Sequence, residues 1–156
     1  MKTLFSLLAL SLALFAAETL KVGTHLDTLK HYKYENQNKF PMQIPTATRL
    51  IIVSFEKDTG ALVNDYLDTK KSSYILDHNA VFIADINRMP SIITTMFALP
   101  KMQKYKHPIY LHYEDQFENF VPHKEEKLTL LHMKNQKVES IAYISTVEEL
   151  KAAIEQ

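Results

Sequence analysis

The sequence predicts an α/β fold with a central mixed sheet, in which a parallel βαβ core is joined to a C-terminal antiparallel hairpin and flanked by helices. Residues 50–56 and 80–86 are short apolar runs of the kind found in buried strands. Between them, residues 61–67 have the apolar spacing of a helix, and two strands joined by such a crossover pair in parallel. The strand-like runs 127–133 and 138–144 are separated by a polar turn of hairpin length, which predicts antiparallel pairing.

Composition limits the possible functions. A length of 156 residues with 46% hydrophobic side chains suits one compact domain. Lys and Arg number 18, as do Asp and Glu, so the net charge gives no reason to expect nucleic acid or an anionic membrane surface as a partner. With only 2 glycines, dinucleotide and P-loop sites are disfavoured, and we predict no cofactor. The absence of cysteine excludes thiol chemistry.

Residues 1–17 have the pattern of a signal peptide. Lys2 supplies the positive start, Leu4 to Phe15 is almost wholly apolar, and Ala16-Ala17 are small residues before the polar Glu18. The run is short for a membrane span, which needs about 20 residues, although an uncleaved anchor remains an alternative. We therefore predict a periplasmic or secreted protein.

The mature chain is predicted to consist of an N-terminal extension, residues 18–48, that wraps a domain formed by residues 49–156. Within that domain, residues 89–102 have helical spacing after an initial proline, and residues 107–113 form a strand that begins near a proline. The sequence from Ser145 to Glu148 fits a capping box at the start of a closing helix.

This order of elements resembles the thioredoxin-like fold. The resemblance is carried by the two apolar strands, the hairpin with its closing helix, and the His107-Pro108 step, where that family has its cis-proline. It implies that Pro108 is cis and lies near the turn at Asp58, Thr59, Gly60 and Ala61. That turn occupies the window in which the family carries Cys-x-x-Cys, so the family's redox activity does not carry over to this chain.

We interpret the surface formed by residues 58–61 and 107–108 as a binding site for a protein, a peptide or a small ligand. Phe117 and Phe120 lie in a polar stretch and are expected to be exposed, which suggests a protein or peptide partner in the cell envelope. Three other large side chains are expected to pack in the core, namely Met96, Phe97 and Tyr113.

Two alternatives remain open at this point. The first is a metal-binding protein that uses His107, His112 and His123, although their spacing fits no metal motif. The second is a cysteine-independent hydrolase, in which Thr59 is the nucleophile, His107 is the base and either Asp58 or Asp85 orients the base. These residues also have structural explanations: Asp58 or Thr59 can cap the following helix, and Asp85 ends a strand.

Overall fold

The computed structural model describes residues 18–156, so the predicted signal peptide lies outside the described residues. The chain forms a succession of helices and strands, with a π-helical turn at Thr94–Ala98. In chain order these elements are α1 (Leu26–Lys30), β1 (Tyr34–Glu35), β2 (Pro41–Met42), β3 (Leu50–Ser54), α2 (Lys57–Asp68), α3 (Tyr74–Asp77), β4 (Ala80–Asp85), α4 (Ser91–Ile93), α5 (Leu99–Met102), β5 (Tyr110–His112), α6 (Phe117–Phe120), β6 (Leu128–Lys134), β7 (Lys137–Ile144) and α7 (Val147–Glu155).

The centre of the fold is the parallel pair β3 and β4, whose residues are all buried. Their register runs from Leu50 opposite Ala80 to Ser54 opposite Ala84. The predicted βαβ core is therefore confirmed. It follows from the sequence, since a β-branched apolar run is stable as a strand when both faces of the sheet are covered.

The sheet has seven strands in the order β2-β1-β5-β4-β3-β6-β7. β5 continues the parallel part beside β4, whereas β6 lies antiparallel to β3 and pairs with β7 through a two-residue turn. Asn135 and Gln136 in that turn both have positive φ, as a type I′ hairpin turn requires. The mixed sheet and the fold class predicted from the sequence are confirmed.

Each face of the sheet has its own apolar layer. Ile52 and Phe82 point to the face covered by α2 and α7, while Ile51 and Ile83 point to the opposite face. The second layer is completed by residues from the N-terminal part of the chain and from α6, among them Leu20, Leu26, Leu29, Tyr34 and Phe117. Within residues 18–156, no helix is long and apolar enough to cross a membrane.

The capping box of α7 is one residue later than predicted. Thr146, not Ser145, is the N-cap: its Oγ accepts the N–H of Glu149, and the Glu149 carboxylate accepts the N–H of Thr146. The prediction from Ser145 and Glu148 is wrong because β7 extends to Ile144 and places Ser145 in the connection before the cap. The pKa of Glu149 is lowered, chiefly by the hydrogen bond from the Ser145 N–H.

The corrected cap can be tested with two neighbouring hydroxyls. Thr146→Ala removes the acceptor of the Glu149 N–H and should lower the free energy of unfolding by about 1 kcal/mol. Ser145→Ala is the matched control and should change it little, because the Ser145 side chain makes no capping bond. Urea unfolding of both variants measures the difference; a larger loss for Ser145→Ala would contradict the assignment.

Candidate functional site

A cleft of about 580 Å³ opens where β3 and β4 end, between α2 and the helical segment 91–102. The carboxyl ends of parallel strands are a common position for ligand sites in open α/β sheets. The cleft walls are mainly apolar, with contributions from Ala61, Ile86, Met89, Ile93, Phe97, Ala98, Met102 and Tyr105. Three buried polar side chains, those of Ser54, Asn64 and Asp85, also line it.

One wall of the cleft contains an irregular helix. In the π-helical turn, the Leu99 N–H donates to the carbonyl of Thr94. Pro100 follows directly; it has no N–H for a regular α-helical bond and its ring would crowd the carbonyl of Met96. Single π-helical turns are often found at functional sites, so this feature agrees with the position of the cleft.

The outer side of this wall corrects one expectation. Met96, Phe97 and Tyr113 were expected to pack in the core, but Met96 and Phe97 are exposed, and 37% of the Tyr113 surface is accessible to solvent. The Phe97 side chain lines the edge of the cleft. Helical spacing shows that these apolar side chains share a face, but it does not show whether another element covers that face.

Asp85 is the titratable group with the most unusual position in the cleft. It is the last residue of β4, only 9% of its surface is exposed, and its Oδ1 accepts the N–H of Asn87 at 3.1 Å. Burial raises the pKa of this carboxyl above its ordinary value, and the Asn87 N–H opposes the shift. A carboxyl with a raised pKa inside a cleft is typical of functional sites.

The start of α2 is closely packed against β3. The hydroxyls of Ser54 and Thr59 both donate to the carbonyl of Glu56, at 3.0 and 3.1 Å, and they lie 3.2 Å apart. A Cβ on Gly60 would lie 3.0 Å from the Ser54 hydroxyl, so glycine at this position allows α2 to approach β3 closely. Of the four predicted residues at this turn, Gly60 and Ala61 line the cleft, whereas Thr59 is buried and Asp58 is exposed.

The helix also begins earlier than predicted. Its N-cap is Glu56, which makes no side-chain capping bond, so neither Asp58 nor Thr59 is the cap. The Glu56 carboxylate instead accepts the N–H of Glu126, at 3.0 Å, and thereby connects the helix start to the segment before β6.

The His107-Pro108 step differs from the implied geometry. No peptide bond in residues 18–156 is cis, so Pro108 is trans. The trans form is the default for X-Pro, and β5 begins two residues after Pro108, at Tyr110. Both residues border a separate shallow depression beside residues 36–38 and 72–76, so this step and the turn at 58–61 do not form one surface.

His107 nevertheless contacts α2. Its Nε2–H donates to the Asn64 side-chain oxygen at 2.9 Å, and Asn64 in turn lines the cleft. Burial lowers the pKa of His107, so the neutral ring is favoured, and Nδ1 has no partner among the described residues. The hydrogen bonds of Thr59 and His107 go to different groups, so the structure does not join them as nucleophile and base.

The aromatic residues predicted at the surface are largely internal. Phe117 is fully buried, with its ring 5.0 Å from that of Tyr32 and 4.6 Å from that of His112. Phe120 is partly buried against the same layer, and its carbonyl accepts the Leu20 N–H. The expectation of exposure is wrong because α6 packs under the N-terminal part of the chain, which the local polar sequence does not reveal.

The three candidate histidines are not brought together. Both ring nitrogens of His112 lie at hydrogen-bond distance from backbone carbonyl oxygens, those of Lys33 at 3.0 Å and Glu114 at 3.1 Å. His123 is exposed and lies against Phe55, with ring centroids 4.7 Å apart. In the described range, no group of three or more His, Cys, Asp or Glu side chains is arranged to hold a metal ion.

Several residues of the cleft were not identified from the sequence. Asn64 carries no motif, and Met89 and Ile93 belong to a helical pattern that normally indicates core packing. The only usable signal was the pair of strand ends at residues 54 and 85, which in a parallel pair must meet at one edge of the sheet.

Comparisons with known proteins agree with this architecture. No family model matches the sequence, and no curated protein matches it. Among solved structures, a putative protein disulfide isomerase from Bacteroides thetaiotaomicron is 10% identical with a TM-score of 0.52, over 89% of this chain and 87% of that one. A SCO1/SenC family lipoprotein from Bacillus anthracis is 10% identical with a TM-score of 0.50, over 88% of this chain and 94% of that one.

A third structure, the bacterioferritin comigratory protein of Xanthomonas campestris, is 9% identical with a TM-score of 0.50, over 88% of this chain and 95% of that one. At these identities the comparisons establish the fold and not the activity. The chain has a thioredoxin-like fold, as the sequence resemblance implied. It is a cysteine-free example of that fold.

The raised pKa of Asp85 predicts a specific pH dependence. The folded protein holds the Asp85 proton more tightly than the unfolded chain does, so this carboxyl destabilises the fold increasingly as pH rises from about 3.8 through its raised pKa. Asp85→Asn can retain the acceptor for the Asn87 N–H and removes the charge. The gain in unfolding free energy of Asp85→Asn over the unmodified protein should therefore be larger at neutral pH than at pH 3. Denaturation at several pH values measures this gain, and a gain that does not vary with pH would contradict the prediction.

Proposed function

We propose that this protein is an exported, non-redox binding protein whose cleft takes up a small apolar ligand or the apolar side chains of a peptide. The observation that carries the proposal is the cleft itself, which lies at the carboxyl ends of β3 and β4. Its volume of about 580 Å³ is within the usual range for ligand sites, roughly 300–1,000 Å³. Its composition, apolar walls with a few polar groups, is also typical of such sites.

The polar side chains of the cleft can fix the orientation of a bound ligand. Asp85 and Ser54 lie at neighbouring strand ends, and Asn64 lies one turn beyond Gly60 on α2. Each offers a hydrogen-bonding group within an otherwise apolar surface, which fixes how a ligand with one polar end is held. Lys57, Arg88 and Lys101 border the opening.

The alternatives receive less support from the same geometry. A hydrolase needs an activated nucleophile, but the Thr59 hydroxyl is buried and hydrogen-bonded to a backbone carbonyl. A metal site needs several ligands arranged around one point, but no group of three or more His, Cys, Asp or Glu side chains within residues 18–156 has that arrangement. Export rests on the signal-peptide pattern of residues 1–17.

Binding in the cleft can be tested with the neutral apolar fluorophore N-phenyl-1-naphthylamine. Ala61 lies on the α2 wall of the cleft, and Ala61→Phe should fill part of the space and weaken probe binding by about tenfold or more, as expected for a lost apolar contact surface. Ala98→Phe, on the opposite wall, should do the same. The measurement is the dissociation constant from fluorescence titration.

Ala152→Phe is the matched control, because Ala152 is exposed on α7 and does not border the cleft. It should bind the probe as the unmodified protein does. Near-ultraviolet circular dichroism checks that each variant is folded. Saturable binding that is equally strong in all variants, or no saturable binding at all, would refute the cleft as the site.

A further inference from the structure

The outer surface of the segment 91–102 presents four large apolar side chains to solvent. The exposed fractions are 63% for Ile92, 42% for Ile93, 61% for Met96 and 63% for Phe97. Their positions one helical turn apart place them on one side of the segment, and we call them the apolar patch. Adjacent exposed apolar side chains of this size mark an interaction surface, whereas isolated ones do not.

The charge around this patch is strongly uneven. No Asp or Glu occurs from Ile86 to Tyr113, while Arg88, Lys101, Lys104 and Lys106 give this stretch a charge of +4. Because the whole chain has 18 basic and 18 acidic residues, the remainder carries 14 against 18, a charge of −4. The zero net charge therefore conceals a basic stretch of sequence that contains the apolar patch.

The charges of other elements near the segment leave this basic character in place. Arg88 is paired with Glu118, but Lys101, Lys104 and Lys106 are exposed and have no ion-pair partner in the described part of the chain. Lys57 adds a further exposed cation at the cleft opening. Three nearby carboxylates are engaged or buried: that of Asp85 is buried, that of Glu56 accepts the Glu126 N–H, and that of Asp65 lies beside the Tyr105 hydroxyl. Glu35 also borders the segment, together with the cation of Lys39.

We propose that the segment 91–102 docks on an anionic lipid bilayer, with the apolar patch at the boundary between headgroups and acyl chains and the lysines against lipid phosphates. Protruding Ile, Met and Phe side chains flanked by lysines are the arrangement of interfacial membrane-binding helices. Interfaces with proteins are depleted in lysine, so the composition favours a bilayer over a protein partner.

Ile93 and Phe97 border both the patch and the cleft, but Ile92 and Met96 belong to the patch alone, so changing these two tests the patch separately. The two proposals therefore fail separately. Loss of lipid binding on changing Ile92 and Met96 leaves probe binding in the cleft unaffected, and Ala61→Phe leaves the patch unaffected.

The test is flotation of the protein, residues 18–156, with vesicles of phosphatidylcholine alone and of phosphatidylcholine containing phosphatidylglycerol. We expect flotation with the anionic vesicles, weakened by added salt because the lysine contacts are screened. The double variant Ile92→Ser/Met96→Ser should lose flotation. The matched control Val22→Ser/Phe40→Ser, whose side chains are 61% and 65% exposed elsewhere, should retain it.

Charge reversal tests the lysines separately. Lys101→Glu should weaken partitioning to anionic vesicles by about tenfold or more, since each basic residue near such a surface contributes roughly fivefold. Lys151→Glu on α7 is the control for net charge and should have a much smaller effect. Thermal unfolding checks that each variant is folded.

Three outcomes would overturn the proposal. The first is no flotation with anionic vesicles, and the second is equal flotation with neutral ones. The third is a concentration-dependent dimer in sedimentation analysis without lipid that Ile92→Ser/Met96→Ser dissociates, because this would assign the patch to a second copy of the chain.

Discussion

The parallel pairing of β3 with β4 is the constraint on which the sheet and its cleft depend. Five residue pairs, all buried, hold the two strands in one register, and the remaining strands add to either side of them. Because the strands run in the same direction, their carboxyl ends meet at one edge of the sheet. α2 follows the carboxyl end of β3, and the segment 86–102 follows the carboxyl end of β4. The cleft is the space between these two segments. The site is thus a consequence of topology, and its chemistry depends on which side chains stand at the two strand ends.

Those side chains are suited to binding. At the end of β3, the hydroxyls of Ser54 and Thr59 share the Glu56 carbonyl, and Gly60 allows the first turn of α2 to lie against the strand. At the end of β4, Asp85 is held in a buried position whose desolvation raises its pKa. The fold places an apolar surface directly beside these groups. A ligand with a polar end and an apolar body is the kind of molecule that this combination recognises.

The sequence was sufficient to predict features that depend on a local pattern of residues. It was insufficient to predict which side chains are buried by elements distant in the chain. The apolar runs 50–56 and 80–86 predicted the parallel pair, and two strand-like runs around a polar turn predicted the hairpin. Both predictions succeeded because strand patterns and turn residues can be recognised within a few consecutive residues. Phe117 was placed at the surface because its neighbours are polar, but side chains distant in sequence, among them Tyr32 and Phe55, pack against its ring. Met96 and Phe97 were expected in the core but are exposed. An apolar helical face has the same sequence pattern whether or not another element covers it. Summing the charge over the whole chain concealed its separation into a basic stretch and an acidic remainder.

The central claim is that the edge of the sheet at the ends of β3 and β4 is the binding site. The most direct measurement is a methyl NMR titration of the folded chain with an apolar probe, in which methyl shifts report the position of binding. Binding in the cleft predicts saturable shifts at Ala61, Ile86, Ile93 and Ala98, which line it, and none at Ile51 on the opposite face. Shifts concentrated instead at Leu76, in the depression beside His107, or at no methyl group at all, would contradict the account.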